Sequence, residues 1–283
     1  MTRTVVLMTA LVLIFMWVGN MVGGVEGMQT AFLIACGMNF FSYFFSDKMV
    51  LAQYKAKEVT ASTEPELYAI VSRLAQTANL PMPKVYIIPE QVPNAFATGR
   101  NPQHAAVAAT QGLLELLTPQ EIEGVLAHEM SHVRHYDILI GSVASMFAGA
   151  IAMLGNAARI AGAGTTDSRG NGRSNPLFML VGVIVMPIAA TIIQMAISRT
   201  REFKADEGAA HLTNHPEWLM SALSKLEGYA KNYQMQRASA QTAHMFIVNP
   251  FSGFSRQFSS LFSTHPSTEA RLARLAEIQK QLR

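Results

Sequence analysis

Thr118-Pro119-Gln120-Glu121-Ile122-Glu123-Gly124-Val125-Leu126-Ala127-His128-Glu129-Met130-Ser131-His132 opens on a helix-start signal and closes on two histidines four positions apart. Thr118 and Glu121 have the spacing of a capping box, and Pro119 falls at the first helical position, where its missing N–H is no loss. Ile122, Val125 and Leu126 recur at helical spacing, with no glycine or proline from Val125 to Tyr136. The stretch therefore predicts a helix, and a helix puts positions i and i+4 on one face, one turn apart. Two imidazoles so placed can bind a single zinc ion, and the glutamate between them can reach a water on that ion. The alternative is a solvated helix face with two ordinary histidines.

A catalytic zinc site needs three protein ligands and an open position. His135 shares the face, but a rigid helix cannot wrap three of its own turns around one ion, so His135 reads as a surface residue or an outer neighbour. A better source is Ser198-Arg199-Thr200-Arg201-Glu202-Phe203-Lys204-Ala205-Asp206. There Glu202 and Asp206 are again i and i+4. Glu202 would ligate, and Asp206 would hydrogen-bond the far nitrogen of a ligand histidine and fix its tautomer. A solvated helix of Glu, Arg and Lys explains the same residues, and both readings stand.

Half of the 283 residues are hydrophobic and only 14% are charged, too apolar for an ordinary soluble domain. Thr4–Val25, Gly27–Ser46, Ile138–Ala158 and Leu177–Ser198 approach or exceed the ~20 residues a helix needs to span a bilayer. Arg3 before the first run also fits a signal peptide, but no small-residue cleavage site follows and a second run starts almost at once. Only 20–28 leaves room for a turn, so the first two runs predict a helical hairpin. Arg3, Lys48, Lys55, Lys57, Arg134, Arg199, Arg201 and Lys204 flank the same ends of the spans, which puts both termini on the cytoplasmic side. Three arginines in 159–175 weaken this bias. The chain then divides into a membrane hairpin at 4–46, a cytoplasmic part at 47–137, a second pair of spans at 138–198 and a second cytoplasmic part at 199–283. His132 and Glu202 both fall within roughly 10 Å of the bilayer edge at ~1.5 Å per helical residue. The net charge of +3 follows from this topology and does not point to nucleic acid. Cys36, the one cysteine, excludes an intramolecular disulfide and a cysteine-built zinc site, and reads as a packing residue.

At this point the chain resembles the HtpX-type integral-membrane zinc metalloproteases, relatives of the CaaX-processing membrane proteases. The resemblance runs over nearly the whole chain. It is carried by the four apolar runs, Pro93-Asn94-Ala95-Phe96-Ala97-Thr98-Gly99, Ala105–Thr110 with Gly112-Leu113-Leu114, His128–His132 with Asp137, Arg199–Asp206, and Thr264-His265-Pro266. It implies a mainly α fold with a small β-sheet: four transmembrane helices plus a cytoplasmic zinc-metalloprotease domain. It implies one zinc ion per subunit on His128, His132 and Glu202, with Glu129 as general base and Asp206 and Arg199 behind the ligands. Asn94 and His265 are implied to line the catalytic cleft and steady the tetrahedral intermediate. For His265 a capping or packing role is the alternative. The implied partners are protein substrates, damaged or misassembled membrane proteins among them, and the lipid bilayer, in quality control at the bacterial inner membrane.

The remaining readings come from the residues. Ala105–Thr110 reads either as an edge strand that adds a substrate strand by backbone hydrogen bonds or as an interior strand. Thr63-Glu64-Pro65-Glu66 and Asn214-His215-Pro216-Glu217 read as helix caps before Leu67, Ile70, Val71 and Leu74 and before Leu219, Leu223 and Leu226. Leu272, Leu275 and Ile278 line a last helix. Met235–Ser263 reads as a flap over the cleft or a membrane-surface segment, and 167–175 as a polar outer loop. Two further functions compete with a broad endopeptidase. One is a site-specific processing protease. The other is a non-catalytic membrane scaffold with structural zinc, in which Glu129 would have no use.

Overall fold

The computed structural model describes residues 2–143, 199–232 and 266–282. Most of the expected third span, the whole fourth span, the loop 167–175, the segment 235–263 and His265 lie outside the described residues. Among these residues the chain is mainly helical with one small mixed sheet, and one helical segment, Gly23–Gln53, is long and apolar enough to cross a membrane.

Helix α1 (Thr2–Gln53) is broken where Gly23 and Gly24 leave helical geometry, at φ/ψ of −139°/20° and 60°/−143°. The positive φ at Gly24 suits a residue with no Cβ. The chain doubles back there. Gly19 and Gly27 meet so closely that a Cβ on either would strike the other's carbonyl. Asn39 Nδ2 donates to the Met8 carbonyl across the gap at 3.1 Å.

The sheet contains β1 (Lys57–Val59), β2 (Lys84–Ile88), β3 (Ala95–Gly99) and β4 (Ala105–Thr110), in the order β1-β2-β4-β3. β2 and β4 are parallel, and the two outer pairings are antiparallel. β4 is therefore interior, which overturns its reading as an edge strand; the edge on that side is β3. The small residues of β4 are buried along its whole length. Ala105, Val107 and Ala109 join the main core, while Ala106 and Ala108 face Val50 and Leu51 at the end of α1. A strand covered on both faces shows no polar alternation, which is why its sequence did not betray its place.

The main core lies between the sheet and α2 (Pro65–Thr77), α3 (Gln111–Leu116), α4 (Pro119–Arg134), α5 (Arg199–Thr213), α6 (Pro216–Asn232) and α7 (Thr268–Leu282). Leu126, Met130, Leu219, Leu223 and Leu275 are fully buried, each contributing about 1.5–3 kcal/mol of apolar transfer. The cap expected at Thr63 does not form. Glu64 is the N-cap of α2 without a side-chain bond, and the Thr63 hydroxyl instead accepts from the Thr60 N–H.

At α4 the capping box is present. The Glu121 N–H donates to Thr118 Oγ1, and the Thr118 N–H donates to Glu121 Oε2 at 2.8 Å. Glu121 also accepts from Ser221 Oγ at 2.6 Å and Lys225 Nζ at 2.8 Å, so one carboxylate starts α4 and pins α6 to it. Burial opposes its charge, but the bonds from Lys225, Ser221 and Thr118 prevail and hold its pKa down at about 2. α5 crosses α4 where Gly208 meets Ser131, and a Cβ at 208 would collide with the Ser131 hydroxyl.

Candidate metal centre

α4 presents His128 and His132 on one face, as the i, i+4 spacing requires. Their rings stand edge to face, 4.8 Å apart at the centroids, with the two Nε2 atoms 3.2 Å from each other. α5 brings Glu202 against them. Its carboxylate oxygens lie 3.5 Å from His128 Nε2 and 3.6 Å from His132 Nε2. One ligand atom from each of the three residues falls within 4.8 Å of the others. A tetrahedral ion with bonds of ~2.0–2.2 Å separates neighbouring ligand atoms by roughly 3.3–3.6 Å. The three groups fit a zinc ion in both donor type and spacing.

Each imidazole has a carboxylate behind it. His128 Nδ1 lies 2.9 Å from Asp206 Oδ1, and His132 Nδ1 lies 3.3 Å from Asp137 Oδ2. Both rings thus point Nε2 at the shared centre, the arrangement that fixes ring orientation and tautomer in metal sites. Asp137 reaches its place through the end of α4. Tyr136 adopts φ 60°, sparsely used by residues other than glycine, and the turned chain lets the Asp137 N–H donate to the His132 carbonyl at 3.0 Å. Arg201 Nη1 stands 3.6 Å from Asp137 Oδ1.

Behind His128 and Asp206 stands Arg271 of α7, 1% exposed. Its Nε and Nη2 donate to the two oxygens of Asp206 at 2.9 and 2.7 Å, and Nη2 also lies 3.4 Å from His128 Nδ1. Burial opposes the charge on Asp206, yet Arg271 and His128 hold its carboxyl below the usual range. Burial also disfavours a charged His128, but the carboxylates of Asp206 and Glu202 outweigh burial and the opposing Arg271 charge, raising His128 to about 9. Groups that favour a proton between these side chains also favour a metal cation there.

Glu129 is buried on the adjoining face of α4. Its Oε2 accepts from the Ala97 N–H of β3 at 2.9 Å, which ties the carboxylate to the outer edge of the sheet. Two residues on, the Gly99 N–H donates to Ser142 Oγ at 3.2 Å. Asn94 sits buried just before β3, its backbone fastened to Thr110 by N–H donation to Oγ1 at 2.9 Å.

The structure thus gathers His128, His132, Glu129, Glu202 and Asp206 in one place and puts Asn94 at the head of the strand beside them. His265 lies outside the described residues. Arg199 is exposed, and Arg201 is the arginine of that stretch that approaches the histidines' surroundings. His135 is exposed. Sequence reasoning passed over Arg271. Its signal was phase: Arg271, Leu275 and Ile278 are i, i+4 and i+7, so the arginine lies on the buried stripe.

Residues 61–279 match the sequence profile of peptidase family M48. The chain is 64% identical over 280 residues to the Protease HtpX homolog of Campylobacter hominis, covering 99% of each. It is 56% identical over 277 residues to the Protease HtpX homolog of a Sulfurovum species, covering 98% of this chain and 99% of that one. Among solved structures it is similar to Ste24p of S. mikatae, with a TM-score of 0.46 and 19% identity, over 92% of this chain and 66% of that one.

Proposed function

Since the chain belongs to peptidase family M48 and is an HtpX-type metalloprotease, we propose that it is a membrane-bound zinc endopeptidase. It hydrolyses misfolded or damaged membrane proteins at the cytoplasmic face of the bacterial inner membrane. Residues 4–46 and 138–198 form two membrane hairpins, four spans in all, and 47–137 and 199–283 make up the protease. The observation that carries the reading is the convergence of His128, His132 and Glu202 beside Glu129, which is itself bonded to an edge strand.

His128, His132 and Glu202 would hold one zinc ion, with Asp206 aligning His128. The ion would supply Lewis acidity to a water molecule and to the scissile carbonyl. Glu129 takes the proton from the attacking water and passes it to the leaving amine. Its bond to Ala97 holds one oxygen and so orients the other. β3 is the strand against which an extended substrate aligns. Ala97 and Gly99 already donate their outer N–H groups to Glu129 and Ser142, so the strand's outward carbonyls are what remain for substrate N–H groups. Recognition through backbone atoms reads little sequence, which suits damaged proteins as substrates. Asn94 at the head of β3, together with His265, steadies the charge on the tetrahedral intermediate.

The test is cleavage of an unfolded protein by the purified chain in detergent, with zinc, with chelator, and with Glu129→Gln. Cleavage that requires both the metal and Glu129 is expected. Undiminished cleavage by Glu129→Gln would sink the mechanism.

A further inference from the structure

The last turns of α1 carry an aromatic ladder on their open side. Phe40 and Phe41 are 57% and 58% exposed, and Phe44 and Phe45 are each 38% exposed. The rings pair one turn apart, Phe40 with Phe44 at 4.7 Å and Phe41 with Phe45 at 5.6 Å. Two cations close over them: Lys48 Nζ lies 5.6 Å from the Phe45 ring, and the Arg100 guanidinium 5.3 Å from the Phe44 ring. The opposite side of the same turns, at Ser42 and Ser46, is buried, and the turn that follows packs on the sheet through Val50 and Leu51. The ladder is therefore an outward face at a fixed height on the protease.

Helix length says what covers it. From the turn at Gly24 to Phe40 and Phe45 is about 24–32 Å at 1.5 Å per residue, which matches the ~30 Å hydrocarbon core of a bilayer. Phe32, Leu33 and Ile34 are exposed in between, as a lipid-facing wall would be. Aromatic rings collect where hydrocarbon meets headgroups, and basic side chains just outside.

We propose that Phe40, Phe41, Phe44 and Phe45, with Lys48 and Arg100, form a collar seated in the lipid headgroup layer. Arg100 directly follows β3, and Ser142, which bonds Thr98 Oγ1 and the Gly99 N–H, lies on the helical stretch 138–143, the described start of the proposed second membrane hairpin. The C-terminal end of β3 thus stands at the membrane surface, and its middle residue holds Glu129. A substrate strand laid on β3 is a segment that has just left the bilayer. The inference deepens the membrane-protease reading and rests on it.

The experiment uses the full chain in phosphatidylcholine vesicles whose acyl chains are brominated near the headgroup or near the bilayer centre. Trp17 and Trp218, the two native tryptophans, are replaced by Phe, and a single probe is introduced as Phe41→Trp, Phe45→Trp or Phe32→Trp. Shallow bromines are expected to quench the Phe41→Trp and Phe45→Trp probes roughly twofold more than deep ones, and the order reverses for Phe32→Trp, placed about 12 Å from the turn. Stronger quenching of both collar probes by deep bromines, or none by either lipid, overturns the collar. Should one collar variant fail to fold, the other decides. The readout involves no proteolysis, so its failure is distinct from failure of the Glu129→Gln test.

Discussion

Asp206 and Arg271, 65 positions apart in the chain, form a bidentate ion pair at 2.7 and 2.9 Å, with side chains 0% and 1% exposed. The pair stands directly behind His128. Buried ion pairs contribute little over an apolar replacement, but removing one partner strands a charge and costs about 3–5 kcal/mol. Arg271→Ala should therefore lower the unfolding midpoint sharply and weaken zinc binding by roughly 10–100-fold, the usual loss when a ligand's supporting group is removed. Arg271→Lys keeps the charge without the fork and should fall between. Chelator competition and thermal unfolding measure the two effects; unchanged zinc affinity in Arg271→Ala would refute the brace.

Ala97 offers a backbone test of the role proposed for Glu129. Its N–H points away from β4 toward Glu129, so Ala97→Pro deletes that bond without removing a sheet hydrogen bond. A misplaced catalytic group costs on the order of 10²-fold in rate. The expected result is a loss of that size in kcat/KM with zinc content unchanged; full activity would mean that β3 does not orient Glu129.

Gly208 tests how closely α4 and α5 must approach. Gly208→Ala drives a methyl into the Ser131 hydroxyl and should cost about 1–3 kcal/mol, as overpacking does. Among the described residues Ser131 Oγ has no hydrogen-bond partner, so Ser131→Ala should remove the obstruction at little cost. The double variant should regain both stability and zinc affinity. A double variant as unstable as the single one would place the strain elsewhere.

Glu121 sets an acid limit on stability. Its pKa falls from 4.5 to about 2 on folding. Its stabilising contribution is thus complete above pH 4.5 and disappears as pH falls toward about 2. In thermal unfolding across this range the gap between the native chain and Glu121→Gln should close as pH falls. A gap that widened on acidification would reverse the sign of the argument.

What the sequence revealed and what it hid divide along physical lines. Thr118, Glu121 and the histidine pair act within one or two helical turns, so spacing alone was enough to foresee the helix and the face they share. Leu67, Ile70, Val71 and Leu74 announced a buried stripe for the same reason. β4 stayed open between edge and interior because its alanines suit either position in a sheet, and only its two partners distinguish them. Thr63 misled because its hydroxyl had a nearer donor in Thr60. Arg271 was hidden because a charged residue on a leucine-lined helix looks solvated until its partner 65 residues away is known.

Chain order gives the Asp206–Arg271 pair a meaning in time. His128, His132, Glu202 and Asp206 all leave the ribosome before Arg271, which trails His128 by 143 positions. A half-made chain can already bear its metal-binding side chains, but the guanidinium that steadies them has yet to be translated. The inner wall of the metal centre is thus the last part of it to be made, and the site is complete only once α7 has docked.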